Sequence, residues 1–338
     1  PSDCEPGSIR FNTDTSNLEY YRGRTLGWSQ FELINRNLGG GGTGSNAGFG
    51  VRGVYGGASG PSNNALNTLD FITISSLGDA QDFGDAIGNY IWTGCCSSHV
   101  RGLLMNGYNY QYAFLFLTFS SHGDTVDFGD TTDARHQGSA ISNRIRGIAV
   151  GGTHPAAVNT MDYVTISQTG NAVDFGDLYQ ACNHQASAES KTRGIIANGY
   201  KGPSPGVVNV IQYITMSTLG NSADFGDSAN GGYGASGCGN AVTMVYNSGN
   251  DGSHTTKMNT LTIPTLGNSV FFGDLSRTFY GPGTASSKIR GVFAGDYPSS
   301  SSNIEYVQLA NLSDAVDFGD LVSGRGHWGG SSNGHGGL

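Results

Sequence analysis

Four kinds of short stretch recur along this chain, always in the same order. The first is small and polar, as in "TGCCSSH" (93–99) and "GTASSK" (283–288). The second is apolar and ends in glycines or Asn-Gly: "RGVYGG" (52–57), "RGLLMNG" (101–107), "RGIAVGG" (146–152) and "RGIIANG" (193–199). The third alternates apolar and polar positions: "MDYVTI" (161–166), "IQYITM" (211–216), "IEYVQL" (304–309). A turn containing Gly-Asn, Gly-Asp or Ser-Asp leads into the fourth, "AVDFGDL" (172–178) or its equivalents. Alternation at period two and short apolar runs bounded by glycine are strand patterns. Tight turns between them predict four antiparallel strands per unit.

The unit repeats. Asp-Phe-Gly-Asp occurs at 82–85, 127–130, 174–177, 224–227 and 317–320, with Phe271-Phe272-Gly273-Asp274 in the wide gap. Successive corners lie 45, 47, 50, 47 and 46 residues apart. The same triplet positions magnesium in protein kinases, but a metal site is needed once and a structural corner once per repeat. No phosphate loop, VAIK-like lysine or HRD-like loop accompanies any copy. A period in the mid-forties built of short strands and glycine turns belongs to β-propellers. From the first corner residue, 19 residues lead to the next Arg-Gly in four of five intervals, and 19 past Asp317 is Gly336, near the C-terminus. The phase therefore predicts an all-β, six-bladed propeller over 51–338. Its C-terminal strand, at about 323–336, completes the first blade and closes the ring, removing exposed sheet edges. Small residues in the first strands (Gly94, Cys96, Ser97, Ala188, Gly237, Cys238, Ala285, Ser286) place that strand at the crowded axis.

Residues 1–36 fall outside the period. They read as three short strands, Ser8–Asn12, Asn17–Tyr21 and Trp28–Leu33, with "NTDTSN" and "RGRTLG" as turns. So short a segment cannot bury a core of its own. Phe11, Tyr20, Trp28 and Phe31 would be poorly covered, which predicts attachment or oligomerisation through this module. Residues 37–50 read as a Gly-rich linker.

Composition narrows the function classes. Net charge is −9 and the basic residues are scattered, which argues against nucleic acid or an anionic membrane surface as partner. No stretch is long and apolar enough to insert into a membrane, and no secretory signal is visible. The five cysteines (Cys4, Cys95, Cys96, Cys182, Cys238) match no zinc spacing and read as buried, reduced thiols. The eight histidines show no common phase, so neither a metal nor another cofactor is expected, and nothing nominates a catalytic triad.

The loops carry more. Turns between strands three and four are nearly constant, whereas connections between strands two and three vary in length and chemistry, as do those after each corner. In an antiparallel blade the variable loops share one face, the usual layout of a binding surface on a constant scaffold. Candidate binding residues there are Tyr108, Tyr110, Tyr112, His154, Tyr200, Lys201, Asp251, His254 and Tyr297, since amphipathic aromatics suit sugar faces and protein hot spots.

The double glycine after strand two and the aromatic in strand three resemble kelch-type propellers, although the kelch Trp of strand four is replaced by the Phe of the corner. The units are similar to repeat proteins of tailed, especially marine, bacteriophages, with a likeness extending over about residues 50–338. Gly7, Arg10, Phe11, Asn12, Thr13, Thr15, Glu19, Tyr21 and Gly23 resemble a β module of phage tail and fibre proteins, with its Trp displaced to Trp28. The resemblance implies a non-enzymatic virion protein of fibre, tail or capsid decoration. It would join other virion proteins through the N-terminal module, with homotrimers by analogy to fibres, and adsorb to a host-surface glycan or protein. Two alternatives stand beside this: a purely structural component without a receptor, and a glycan-active enzyme on a propeller scaffold.

A last expectation concerns charge. Five units carry Arg before the glycine of strand two and Asp at the first corner position. In the irregular unit both change, to Asn240 and Phe271. This predicts ion pairs within each blade: Arg52–Asp82, Arg101–Asp127, Arg146–Asp174, Arg193–Asp224 and Arg290–Asp317.

Overall fold

The computed structural model describes residues 5–12, 17–25, 27–30, 51–60, 64–105, 107, 112–203, 206–297, 299–326 and 329–338. The chain divides into two units, Pro1–Leu38 and Gly39–Leu338. No helix occurs among the described residues.

The N-terminal unit is a three-stranded antiparallel sheet of Ile9–Asn12, Asn17–Tyr21 and Trp28–Gln30. Register places Arg10 opposite Glu19 and Tyr21 opposite Trp28. Arg10 pairs with Glu19 at 2.7 Å and lies 4.2 Å over the Trp28 ring, which packs 5.3 Å from Tyr21. Four of the residues that carry the fibre-module resemblance, Arg10, Glu19, Tyr21 and Trp28, thus meet on one face. Alternation sends Ile9 and Phe11 to the other, where each is 61% exposed. Phe31 lies outside the described residues.

Among its described residues the larger unit shows six four-stranded antiparallel sheets, a propeller-type arrangement. Five run in sequence order. The remaining one begins with Gly329–Ser332, which pairs with Arg52–Gly56 and is followed by Leu66–Thr73 and Gln81–Tyr90. The sheet of Ser139–Ser142, Arg146–Val150, Thr160–Thr165 and Val173–Asp177 shows the local logic. Its second strand is buried almost throughout, because it is sandwiched between sheets. Its third strand alternates, and the corner Phe175, 2% exposed, meets Tyr163 edge-on at 6.0 Å. Burying such a ring contributes roughly 1.5–3 kcal/mol, repeated in every sheet.

The corner is a latch between sheets. The amide of Gly170, in the next sheet's turn, donates to the Phe128 carbonyl at 2.7 Å, and Ala172 donates to Asp130. In return the Asp130 amide donates to the Asn171 side chain at 3.1 Å. The same three bonds link Phe83 and Asp85 to Gly123, Thr125 and Asp124. They recur at Phe175 and Asp177, and at Phe225 and Asp227. The last set joins Phe318 and Asp320 to Gly78, Ala80 and Asp79, in the sheet that holds both Arg52 and the C-terminal strand. Glycine is required because backbone meets backbone. A Cβ on Gly176, at φ +138°, would sit 2.6 Å from the carbonyl of Gly220.

The expected Arg–Asp pairs do not form. Arg101, Arg146, Arg193 and Arg290 instead donate to carbonyls of the neighbouring sheet, at Ile166, Met216, Ile263 and Ile74, and Arg52 donates to Phe119. Each guanidinium lies 4.6–5.1 Å over an aromatic ring of its own third strand: Phe71, Phe116, Tyr163, Tyr213 or Tyr306. Register gives the reason. Arg146 stands opposite Thr165, on the face of Tyr163, whereas Asp174 stands opposite Asp162, on the other face. Asp82, Asp127, Asp224 and Asp317 are excluded in the same way. Asn240 is also not the counterpart of Arg. Thr243 occupies that place, opposite Thr262, while Asn240 caps the preceding turn by accepting from the Val242 and Thr243 amides.

Candidate functional site

The first strands of the six sheets line a central channel that, with its open mouth, encloses about 890 Å³. Their residues are small because neighbours leave no room: a Cβ on Gly330 would lie 2.4 Å from the Thr284 carbonyl oxygen, and one on Gly237 2.8 Å from that of Ser187. Hydroxyls bind the strands around the axis. Ser142 donates to the Ser97 carbonyl, Ser97 to Ser332, Ser332 to Ser286 and Ser286 to Gly239, all at 2.6–2.8 Å.

At the end bearing the constant turns, the C-terminal residues cross the channel. His335 is buried there; its Nδ1 meets the Glu189 carboxylate at 2.5 Å and its Nε2 the Ser97 carbonyl at 2.9 Å. Burial disfavours the imidazolium, but the carboxylate and the carbonyl outweigh it, so the His335 pKa lies above the usual value. A Cβ on Gly336 would fall 2.2 Å from the Glu189 carbonyl oxygen.

The opposite end opens among the variable loops and is aromatic. Trp92 stacks on His136 at 5.4 Å and meets His184 edge-on at 6.1 Å. His184 faces Tyr233 at 6.3 Å and Tyr280 at 6.0 Å. Tyr280 is stacked by His254 at 5.3 Å and flanked by Tyr297, and Tyr200 packs on Tyr233 at 5.2 Å. Burial, helped by His136, pushes the His184 pKa down to about 3, and burial with His154 lowers that of His136. These rings are therefore neutral imidazoles at physiological pH.

Local backbone sets this mouth. Trp92, Gln137, His184 and Gly281 each lie two residues before a first strand and Gly234 three, and each has φ between 52° and 68°. Their amides and carbonyls form a chain around the axis: Gln137 N–H to Trp92 O, His184 to Gln137, Gly234 to His184 and Gly281 to Gly234, at 2.8–3.2 Å. The left-handed conformation suits glycine and costs other residues about 1–2 kcal/mol, yet three positions carry Trp, Gln and His.

A buried polar residue on the third strand grips each incoming loop. Asp162 holds Arg135 at 2.8 Å with both side chains fully buried, fixing the loop of His136. Gln212 accepts from the Gln180 amide and donates to its carbonyl, both at 2.9 Å, fixing the loop of His184. Asn259 accepts from Asn230 before Tyr233, and Glu305 binds Ser276 before Tyr280.

Of the residues expected on this face, Tyr200, His254 and Tyr297 join the aromatic group. His154 instead pairs with Asp133 at 3.0 Å. Tyr112, Lys201 and Asp251 take no part in the ring contacts; Tyr112 is 49% exposed. Tyr108 and Tyr110 lie outside the described residues. Trp92, His136, His184, Tyr233 and Tyr280 were not singled out by the sequence reading. One signal existed: His184 and His327 both stand ten residues past a first corner Asp, Asp174 and Asp317, so two of the eight histidines share a phase. Among the described residues, no cluster of three or more His, Cys, Asp or Glu is placed to hold a metal ion.

No protein-family model matches this chain, and no curated protein matches it. Among solved structures, the "Structure of YjhT" is similar in fold, with a TM-score of 0.61 and 11% identity, covering 73% of this chain and 88% of that one. At that identity the likeness shows a propeller-type fold alone.

Proposed function

We propose that this chain is a non-enzymatic recognition protein of a tailed-phage particle. Six blades form one ring closed by the C-terminal strand. The aromatic mouth faces a host surface, and the N-terminal sheet joins another particle protein. The observation that carries the reading is the convergence of Trp92, His136, His184, Tyr233 and Tyr280 with Tyr200, His254 and Tyr297 on the face whose loops vary. Half-buried aromatics around a concavity are the usual anchors of a binding site. Glycosidic chemistry uses two carboxyl groups across the scissile bond. Among the described residues that line the channel, the one carboxylate, Glu189, is tied to His335 at the other end, which favours binding over turnover. The phage assignment itself rests on the repeat and module resemblances.

The alternative of a structural component draws support from the constant face. Val100, Ile145 and Ile289 in its first turns, and Leu77, Leu219, Leu266 and Leu312 in the others, are each more than half exposed. Such a repeated apolar set suits contact with another protein.

Adsorption by particles carrying Trp92→Gly and His184→Gly together tests the reading. Gly234 and Gly281 already occupy the equivalent positions, so the backbone is accommodated. Particles that incorporate the variant and lose adsorption support recognition through the mouth. Normal adsorption overturns it, and sugar release from host glycans by the unaltered protein overturns the non-enzymatic assignment.

A further inference from the structure

We infer that the mouth takes the uncharged terminal pyranose of a glycan, entering end-on along the ring axis. The inference rests on the reading of this face as a recognition surface and adds the chemical class of its ligand.

Three observations converge. The rim is aromatic and Trp92 lines the channel, and pyranose C–H faces pack on aromatic rings. Just inside the rim, Gln185 lines the channel and is 4% exposed. Its amide nitrogen donates to the Val150 carbonyl at 2.8 Å, which fixes the amide's orientation, while its Oε1 has no partner. Ser139 Oγ, also lining the channel, has none either. A buried acceptor without a donor is destabilising, so a ligand that brings hydroxyl donors is favoured here over one that brings only an apolar or acceptor surface.

Charge selects further. The described residues of the channel lining include no Lys or Arg, and their carboxylate is tied up at the far end. Burial holds the His184 and His136 imidazoles in the neutral form. An anionic sugar would therefore be desolvated with no cation to meet it, at a cost that excludes tight binding. A quaternary ammonium would find rings but could donate no hydrogen bond to Gln185. The axial position of the opening favours a chain terminus over an internal sugar, which would need a groove open at both sides.

The test uses the full chain with methyl glycosides of glucose, galactose and mannose. Methyl N-acetylneuraminate glycoside and choline serve as the anionic and cationic probes. Binding is read by saturation-transfer NMR and by tryptophan fluorescence. We expect at least one neutral hexoside to bind, with affinity unchanged between low and high salt. Trp92→Gly should weaken it at least about tenfold. Ser139→Gly, which copies Gly94, Gly283 and Gly329 at the same place in other sheets, should weaken it less. No neutral hexoside bound at tens of millimolar, a preference for either charged probe, or binding indifferent to Trp92→Gly overturns the inference. If hexosides fail while the doubly substituted particles still lose adsorption, the ligand class is wrong and the recognition reading stands. If adsorption is also unaffected, both fall.

Discussion

Replacing Gly176 with Ala probes the latch between sheets, and Gly170→Ala supplies its internal control. Both glycines have positive φ, +138° and +153°. A methyl at either place forces an L residue into a strained conformation, which costs about 1–3 kcal/mol. The surroundings differ. A Cβ on Gly170 meets nothing within 4 Å, whereas one on Gly176 lies 2.6 Å from the carbonyl carbon and oxygen of Gly220. That obstacle cannot swing aside. It is backbone, held by Gly220 N–H to Phe175 O and Ser222 N–H to Asp177 O, both at 2.8 Å. Forcing packed segments apart adds about 1–3 kcal/mol. Gly176→Ala should therefore cost about 2–6 kcal/mol in total. Gly170→Ala should cost only the conformational part. Denaturant unfolding monitored by tryptophan fluorescence measures both, as the midpoint shift multiplied by the m-value. Equal losses for the two variants would refute the argument that the corner glycine exists for close approach between sheets, leaving only its backbone conformation as the reason.

Other outcomes follow from the same geometry. Asp162→Ala should cost about 3–5 kcal/mol by stranding the fully buried Arg135, whereas the double change Arg135→Met with Asp162→Leu should recover most of it; equal losses for single and double variants in thermal unfolding would count against the ion pair. The His335 pKa is raised in the folded state, so the tail's stabilisation is complete below the ordinary imidazole pKa and is lost as pH rises through the folded value. Hydrogen exchange at Gly336–Leu338 should accelerate with pH beyond its intrinsic rise, and His335→Ala should abolish the excess; protection that grows with pH would contradict the assignment. Burial pushes Cys95, Cys182 and Cys238 up to about 12, and Cys96 also upward, so these thiols should resist alkylation in the native protein at pH 8 and react on unfolding. Rapid native labelling at Cys95, Cys96 or Cys238 would show the channel strands to be open, and at Cys182 the loop before Ala186–Glu189.

The repeat was legible because a corner that docks backbone on backbone tolerates almost no variation, so "DFGD" survives while loops drift. The pairing of Gly329–Ser332 with Arg52–Gly56 was legible for a related reason: the phase of the repeat places a first strand after the last corner. The Arg–Asp pairing failed on parity. Arg146 and Asp174 belong to one sheet but stand on opposite faces, and a co-change read without register cannot tell the faces apart. The irregular unit still contained the right answer. Where Arg gives way to Thr243, the third-strand aromatic also gives way, to Thr260. A guanidinium and the ring beneath it form one packing unit, worth about 0.5–2 kcal/mol, so losing either removes the reason to keep the other. The loss of Asp at Phe271 has no such partner among the described contacts. The mouth was hidden for a different reason. Trp92, Gln137 and His184 sit at left-handed positions that glycine fills elsewhere, and nothing in "IWTG", "HQGS" or "NHQA" announces a shared conformation. Each stands ten residues past a first corner residue, and the hydrogen-bonded chain around the axis shows what that shared phase means. The same chain shows that their side chains are displayed at one opening, where a strained backbone is retained for what it presents.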